Sequence, residues 1–195
     1  MVMVLFGFAN GAARSFSKAV CEEDRVQRQD YEWAQAEALT LIDQAGIVIS
    51  PHEARQIQVT DFGLGDLRST GIESLVYVNT RLVCAKELIL LPHQTCPEHL
   101  HPPPGKEETF RCRWGEVYLY VPGEPASQPK ATPPRGREHT YTVWREVVLE
   151  PGQQYTVPQG MRHWFQAGDQ GAVVSEFSST AYDDLDTWTD KDISL

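Results

Sequence analysis

The chain has 195 residues, of which 41% are hydrophobic and 23% charged, and its formal net charge is −10. This composition is typical of one globular domain, and the sequence has no Lys/Arg cluster that could neutralise nucleic-acid phosphates. No apolar run approaches the roughly 18 residues that a membrane-spanning helix requires. Neither a nucleic-acid partner nor a membrane is therefore expected. The four cysteines show no paired spacing, which favours reduced thiols and a cytoplasmic location.

Residues 1–25 are expected to form a peripheral or disordered segment ahead of one domain, residues 26–195. Their positive charges follow the short apolar run instead of preceding it, unlike a signal peptide. An amphipathic helix is predicted next, with Asp30 as its N-cap and Gly46 as its stop. A shorter helix is predicted after Pro51. The apolar face of the first helix comprises Trp33, Ala34, Ala38, Leu41 and Ile42.

From residue 75 onward the pattern is that of short strands separated by Gly, Pro, Asp and Gln. The predicted strands are LVYVN, LVCAKELILL, EVYLYV, YTVWREVVL, QQYTVP, HWFQA and AVVSEF. Short strands after a helical prefix predict a mainly β, single-domain antiparallel barrel or jelly roll. Residues 122–139 contain five prolines and are predicted to form a long surface loop, either a lid or a passive connector.

Three of the six histidines lie in two segments that together suggest a metal site. His99 and His101 are separated by one residue, so both imidazoles face the same side of an extended strand. Glu107 and Glu108 follow a proline-rich turn, and His163 follows a second turn. An HxH pair alone is more often an exposed strand feature, but imidazoles combined with a carboxylate suit Mn, Fe, Co, Ni or Zn.

These two segments resemble the paired motifs of the cupin superfamily. The second motif is complete in GQQYTVPQGMRH, which ends at His163. In the first motif, the six residues before Gly115 select Glu108 as the acid and not Glu107. The motif departs from the family pattern twice: His93 stands in place of the leading glycine, and six residues, more than usual, separate the HxH pair from the acid. The resemblance implies a cupin barrel with the metal ligands His99, His101, Glu108 and His163.

A closer resemblance, over about residues 30–190, is to the D-lyxose isomerase family. It is carried by KELILLPHQTCPEHLHPPPGKEETFRCRWGEVYLYVPGE, PQGMRHWFQAG and SEFSSTAYDDLD. The family implies a homodimeric, Mn²⁺-dependent aldose–ketose isomerase that acts through an enediol. Its substrates would be D-lyxose and D-xylulose, and usually also D-mannose and D-fructose.

The resemblance also implies catalytic residues. Glu176 matches the position of the family's catalytic glutamate and would carry a proton between C2 and C1 of the sugar. Independently of the resemblance, Lys106 precedes Glu108 by two residues, so in an extended segment it would point into the same cavity and could bind a substrate oxygen; a surface lysine on a turn is the alternative.

The family also suggests that one acidic residue after Glu176 binds sugar hydroxyls, with Asp184 as the candidate among Asp183, Asp184 and Asp186, although acidic runs are more often solvated. Trp164, which adjoins His163, is a further candidate substrate contact, although barrel tryptophans more often belong to the core.

Other functions remain open on the sequence alone. A cupin dioxygenase can hold Fe(II) with the same three histidines and one glutamate. A non-catalytic sugar-binding, sensor or storage cupin would bind its ligand without turnover. A cupin phosphoglucose-type isomerase would require a basic phosphate pocket, and the sequence offers no clear one. Fold alone does not choose among these functions.

Overall fold

The computed structural model describes residues 26–179, 181 and 185–194, so the predicted peripheral segment and Asp184 lie outside the described residues. Both predicted helices are confirmed, as α1 (Arg28–Gln44) and α2 (Pro51–Ala54). The prediction of Asp30 as the N-cap is wrong: α1 begins after Gln27, and Asp30 lies in the first turn. A negative charge there still stabilises the helix dipole. Neither described helix is long and apolar enough to cross a membrane.

The remaining elements are strands, which confirms the mainly β prediction. A short 3₁₀ turn, Glu138–Thr140, lies within the proline-rich region. The strands are β1 (Gln58–Thr60), β2 (Ile72–Asn79), β3 (Cys84–Leu90), β4 (Thr95–Leu100), β5 (Glu108–Val121), β6 (Arg145–Leu149), β7 (Gln154–Val157), β8 (His163–Ser178) and β9 (Thr187–Trp188).

One antiparallel sheet contains all nine strands, with β8 at its centre. The sheet runs β1-β2-β3-β8-β4-β9, and β5 pairs with β6, β7 and β8. The second half of β8 pairs with β3 and its first half with β4, while β5 follows β8 along its length. Strand β8 therefore belongs to both walls of a curled sheet.

The structure joins the two strands predicted at HWFQA and AVVSEF into the single strand β8. In its ladder with β5, residues 168–171 of β8 stand opposite Glu116 alone, between the pairs Gly115–Ala172 and Val117–Ala167. Such an insertion is a β-bulge, which bends the strand without ending the ladder. Gly115 has a positive φ of 72°, and a Cβ on it would lie 2.1 Å from the Gly171 carbonyl oxygen. Only glycine fits this close crossing.

Two apolar clusters fill the two sides of the sheet. The inner cluster lies inside the barrel and includes Leu88, Leu90 and Phe165. The outer cluster joins α1 to the sheet. It includes Leu75 and Ile89 together with the predicted apolar face of the helix. Because successive strand residues face opposite sides, Leu88 and Ile89 serve different clusters. The N-terminal helix therefore covers the outer face of the barrel, and the side chains of the inner face are available to form a site.

A buried carboxyl group interrupts the outer face. Glu73 is fully buried and accepts a hydrogen bond from Gln94 Nε2 to its Oε1 at 3.2 Å. Its Oε2 has no hydrogen-bond partner among the described residues. Burial raises the pKa of Glu73 from 4.5 to about 8, although the Gln94 hydrogen bond opposes the shift.

This pKa predicts a pH-dependent stability that Glu73→Gln removes. Between about pH 4.5 and 8 the folded protein holds a proton that the unfolded chain has lost, so the free energy of unfolding falls as pH rises. Glu73→Gln mimics the protonated form and should be more stable at pH 8 by about 2–4 kcal/mol. Urea unfolding of both proteins at pH 5 and 8 measures this. An equal loss of stability between these pH values in the variant would contradict it.

Candidate active site

The four predicted metal ligands lie together inside the barrel. Their ligand atoms all fall within 4.8 Å of one another, and each side chain is buried. His99 lies on β4 and His101 just beyond its end, while Glu108 begins β5 and His163 begins β8. The pairing of β4 with β8 sets His99 opposite His163. Three separate strands therefore supply one cluster.

Backbone carbonyls orient two of the imidazoles. His99 Nδ1 donates to the Pro97 carbonyl at 2.8 Å, and His163 Nδ1 donates to the Met161 carbonyl at 3.0 Å. With the proton on Nδ1, the Nε2 atom of each ring keeps a free lone pair. Burial, together with the neighbouring His163 and His101, holds the pKa of His99 well below its usual range. A neutral imidazole is the form that binds a metal ion.

The third imidazole has a carboxylate partner on each side. His101 Nδ1 donates to Asp186, and His101 Nε2 lies 3.0 Å from Glu108 Oε1. Burial would lower the pKa of His101, but the two carboxylates raise it to about 9. Burial would raise the pKa of Glu108, but Lys106 and the imidazoles hold it well below its usual range. Glu108 is therefore an anionic donor.

The spacing of the donor atoms fits a divalent ion. Glu108 Oε1 lies 3.0 Å from His101 Nε2 and 2.9 Å from His163 Nε2. The second contact lacks hydrogen-bond geometry, so His163 Nε2 is a buried nitrogen without a hydrogen-bond partner among the described residues. Donors about 2.1 Å from one ion lie roughly 3 Å apart when adjacent. An ion at the centre would satisfy this nitrogen.

A buried ion-pair network adjoins the cluster. Lys106 Nζ lies 2.8 Å from Glu108 Oε2 and 2.8 Å from Glu176 Oε1. Lys86 Nζ lies 3.4 Å from Glu176 Oε2, because Lys86 on β3 pairs with Glu176 on β8. Ser178 Oγ donates a further hydrogen bond to Glu176 at 3.2 Å. Lys106 thus links the candidate metal ligands to the candidate proton carrier.

One cavity of about 760 Å³ opens onto these groups. Its volume is in the range of small-molecule sites, about 300–1,000 Å³. The polar lining residues include Ser74, Lys86, Lys106 and Glu176. The apolar lining residues, which lie among them, include Val59, Phe62, Ile72, Leu88, Phe110, Phe165 and Trp188. The cavity can therefore bind a ligand with both hydroxyl groups and C–H faces.

Part of the apolar lining lies in a strained turn. Phe62 has a positive φ of 59°, and the Asp61 carboxylate accepts two backbone N–H hydrogen bonds from the glycines that follow, each at 3.0 Å. The Phe62 ring lies 5.0 Å from the Trp188 ring, which lies 4.7 Å from the His99 ring. Aromatic side chains therefore continue from the cavity wall to a candidate metal ligand.

Two predicted site features lie elsewhere. Trp164 is fully buried in a separate aromatic cluster, stacked 4.1 Å from the Tyr120 ring, and does not line the cavity. It neighbours His163, and adjacent strand residues face opposite sides. Residues 122–139 also contribute nothing to the cavity lining. Ala131 of this loop packs with the Trp164 cluster, so the loop is a packed connector and the lid alternative lacks support.

Sequence reasoning missed Lys86, Phe62 and Trp188. A signal existed for Lys86: on the alternating strand β3 it shares its side with the core residues Leu88 and Leu90. A lysine on an apolar strand face requires a buried partner. Phe62 and Trp188 gave no comparable signal, because only the folded chain brings their two segments together.

The departures from the cupin motif keep its geometry. His93, in place of the leading glycine, has a positive φ of 61°, the backbone conformation that a glycine adopts readily. Glu107 is exposed whereas Glu108 is buried in the donor cluster. Spacing to Gly115 therefore selected the glutamate that the structure brings to the histidines.

A curled antiparallel barrel that buries three histidines and one glutamate around a common point is a cupin-type protein. Its likeness to solved structures agrees: L-ribose isomerase from Cellulomonas parahominis aligns with a TM-score of 0.75 at 17% identity, over 88% of this chain and 96% of that one. L-ribose isomerase from Acinetobacter sp. DL28 aligns with a TM-score of 0.72 at 17% identity, over 86% and 94%. These similarities establish the fold.

The sequence comparisons establish the family. Residues 52–194 match the D-lyxose isomerase family. The D-lyxose ketol-isomerase of Cohnella laeviribosi is 55% identical over 165 residues, 82% of this chain and 91% of that protein. The D-lyxose/D-mannose isomerase of Thermosediminibacter oceani is 58% identical over 153 residues, 76% of this chain and 84% of that protein. The chain belongs to the D-lyxose isomerase family and is an isomerase.

The donor geometry predicts that His163→Ala weakens metal binding. Loss of a direct ligand should lower the Mn²⁺ affinity by more than about 100-fold, the upper range for loss of an outer-sphere partner. Competition with a fluorescent chelator measures the affinity. His139→Ala, at an exposed histidine, is the control and should bind Mn²⁺ as the unmodified protein does. Equal affinities in both variants would show that His163 is not a ligand.

Proposed function

We propose that this chain is a divalent-metal-dependent aldose–ketose isomerase that interconverts D-lyxose and D-xylulose, and also D-mannose and D-fructose. One observation carries the proposal: the buried pair of Lys106 and Glu176 lines the same cavity as three members of the His₃Glu cluster, namely His99, His101 and Glu108. The relatives named D-lyxose ketol-isomerase and D-lyxose/D-mannose isomerase support these substrates.

The residues His99, His101, Glu108 and His163 would hold the ion. When bound, a divalent ion supplies Lewis-acid stabilisation of the negative charge that develops on adjacent substrate oxygens. We propose Mn²⁺ as this ion; Co, Ni, Fe and Zn also suit three imidazoles and a carboxylate. The buried His163 nitrogen without a hydrogen-bond partner among the described residues supports a metal at this point.

Glu176 would carry the proton. In the aldose-to-ketose direction its carboxylate takes the proton from C2, and the C–H electron pair forms the C1=C2 double bond of an enediolate. Glu176 then returns the proton to C1, while the hydroxyl proton on O2 passes to O1 and C2 becomes the carbonyl carbon. Atoms and electrons balance without a co-reactant. Glu176 lines the cavity from β8, which supports this role.

Lys106 would act as a charged hydrogen-bond donor. Burial alone would lower its pKa, but Glu108 and Glu176 raise it well above the usual range, so the ammonium group is retained. A permanent ammonium cannot accept the C2 proton, which leaves Glu176 as the base of the pair. Lys106 can hydrogen-bond a substrate oxygen and stabilise its negative charge. Lys86 offers a second ammonium group in the lining of the same cavity.

The ion-pair network favours isomerisation over the other cupin functions. An iron dioxygenase would use the same four ligands, and oxygen activation itself needs no base beside them. A non-catalytic sugar-binding cupin needs no proton carrier. Glu176, with Lys106 and Ser178 hydrogen-bonded to it, is arranged as a fixed carboxylate beside the donor cluster, which is what proton transfer at a sugar carbon requires.

Activity should depend on both the ion and Glu176. Chelated protein should form no ketose from D-lyxose or D-mannose, and added Mn²⁺ should restore the reaction. Glu176→Gln should lower kcat by about 10²–10⁴-fold because the proton carrier is lost, with Mn²⁺ still bound. Coupled ketose detection measures the rates.

Glu107→Gln, which alters an exposed glutamate one residue from the ligand Glu108, is the matched control and should keep its rate. No ketose from folded, Mn²⁺-loaded protein would eliminate the isomerase proposal. Oxygen uptake under those conditions would favour the dioxygenase.

We also propose a homodimer. Exposed apolar side chains gather on the β2–β3 hairpin and adjoining β8, namely Val78, Leu82, Val83 and Phe177. Val78 pairs with Ala85, which pairs with Phe177, so these three lie on one face of the sheet. Contiguous exposed apolar surface commonly marks a protein interface.

Leu82→Asp should separate such a dimer because it places a charge in the apolar patch. Light scattering should give the mass of two chains for the unmodified protein and of one chain for the variant. Val48→Asp, at a side chain exposed elsewhere, should stay dimeric. A single-chain mass for the unmodified protein would contradict the dimer.

The remaining features concern location and domain organisation. Cys84, Cys96 and Cys112 are buried free thiols, which supports our proposal of a reducing, cytoplasmic location. The packing of α1 on the sheet supports residues 26–195 as one domain, because the helix shares a core cluster with the strands.

A further inference from the structure

The three ligand histidines differ in what holds them. His99 and His163 donate from Nδ1 to backbone carbonyls of their own segments, Pro97 and Met161. His101 instead donates to the carboxylate of Asp186, 85 residues further along the chain. Among the described residues, a carboxylate from the C-terminal region thus orients one of the three imidazoles.

The same region contacts a second ligand. Residues 185–194 form what we call the C-terminal tail, in which Trp188 of β9 pairs with His99 of β4. The Trp188 ring lies 4.7 Å from the His99 ring at an interplanar angle of 32°. The tail therefore touches both histidines of the HxH pair, one through a hydrogen bond and the other through ring packing.

A buried carboxylate on β4 holds the tail in its docked position. Glu98, one residue before His99, is buried and accepts a hydrogen bond from Thr189 Oγ1 at 2.7 Å. The Thr189 N–H also donates to the Glu98 backbone carbonyl at 3.0 Å. At its far end, the tail donates from the Ser194 N–H to the Phe62 carbonyl at 3.0 Å. The tail is thus anchored both to β4 and to the turn at Phe62.

We infer that Asp186 is a positioning residue for the metal, and that docking of the C-terminal tail and metal binding are coupled. The inference rests on the metal site proposed above. The hydrogen bond to Asp186 holds the His101 ring with Nε2 toward the cluster and strengthens Nε2 as a donor. Coupling is reciprocal, so a bound ion stabilises the docked tail as much as the docked tail stabilises the ion.

The coupling has a consequence for the cavity. Asp186, Trp188 and Ser194 all line it, so an undocked tail would open one side of the site. Because a bound ion stabilises the docked tail, it would also favour the closed form of that side. Metal binding and completion of the cavity wall would therefore be coupled.

The first test compares Mn²⁺ affinities by competition with a fluorescent chelator. Asp186→Asn should bind Mn²⁺ about 10–100-fold more weakly, the usual effect of losing such a partner. Asp192→Asn makes the same charge change in the same tail and does not touch a ligand histidine. Its carboxylate is 77% exposed, so its 3.3 Å ion pair with Arg137 is a weak surface contact, and the variant should bind Mn²⁺ within about 2-fold of the unmodified protein. Asp186→Glu, which keeps a carboxylate, should recover part of the affinity.

Equal affinity in Asp186→Asn and the unmodified protein would overturn the inference and leave the metal site intact. Unmodified protein that binds no Mn²⁺ would overturn the metal site itself, and the inference with it. The two failures are therefore distinguishable.

The second test measures docking of the tail. Its main comparison uses the unmodified protein with and without Mn²⁺, so it does not depend on how well a variant folds. Trypsin cleavage after the exposed Lys191 releases residues 192–195 and is followed by mass spectrometry. In the unmodified protein, saturating Mn²⁺ should slow this cleavage at least several-fold, because the ion stabilises the docked tail. Cleavage at one rate with and without Mn²⁺ would overturn the coupling. Asp186→Asn at saturating Mn²⁺ should show reduced protection.

Discussion

The candidate site depends on the curvature of β5 and β8. Each is long, with 14 and 16 residues, and a flat strand of 14 residues would extend about 46 Å. Glu108 begins β5 beside the end of β8, whereas His163 begins β8 and lies at the opposite end of the same ladder. Nevertheless Glu108 Oε1 and His163 Nε2 are 2.9 Å apart. Only a sheet that curls back on itself can bring them together, and the bulge around Gly115 contributes that bend.

Closure of the barrel buries two carboxylates, and neighbouring side chains of opposite charge compensate them. Glu108 and Glu176 are buried carboxylates, and an unpaired buried charge is unfavourable by several kcal/mol. Lys106 contacts both, and Lys86 contacts the second. The same pairings put a fixed carboxylate and two ammonium groups beside the donor cluster. The same few residues therefore compensate the buried charges and could carry out the proposed proton transfer.

Much of the fold and the donor set could be predicted from the sequence because their signals are local. Apolar periodicity predicts α1 and most strands, and the resemblance of two short segments to the cupin motifs implies His99, His101, Glu108 and His163 as a cluster. Lys106 follows from its position two residues before Glu108. The joining of HWFQA and AVVSEF into β8 was not predictable in this way, because the glycines that indicate a turn here permit a bulge in a continuing ladder.

The missing parts of the site depend on contacts between distant segments. Phe62 lies in a loop before β2 and Trp188 near the C-terminus, and their rings meet only after the barrel closes. Asp186 belongs to the acidic run considered for sugar binding, but its hydrogen bond with His101, 85 positions away, had no signal in the sequence. Trp164, in contrast, could have been excluded by strand alternation, because its neighbour His163 faces the donors. Proximity along the chain was therefore a poor guide to the cavity wall.

One divalent ion should lie among the side chains of His99, His101, Glu108 and His163, and anomalous diffraction can locate it. A crystal of Mn²⁺-loaded protein measured at the manganese absorption edge should show one strong anomalous peak per chain. This peak should lie within bonding distance, about 2.0–2.3 Å, of donor atoms of all four residues. A peak at other side chains, or none at this cluster in protein whose turnover requires Mn²⁺, would show that these residues do not hold the ion.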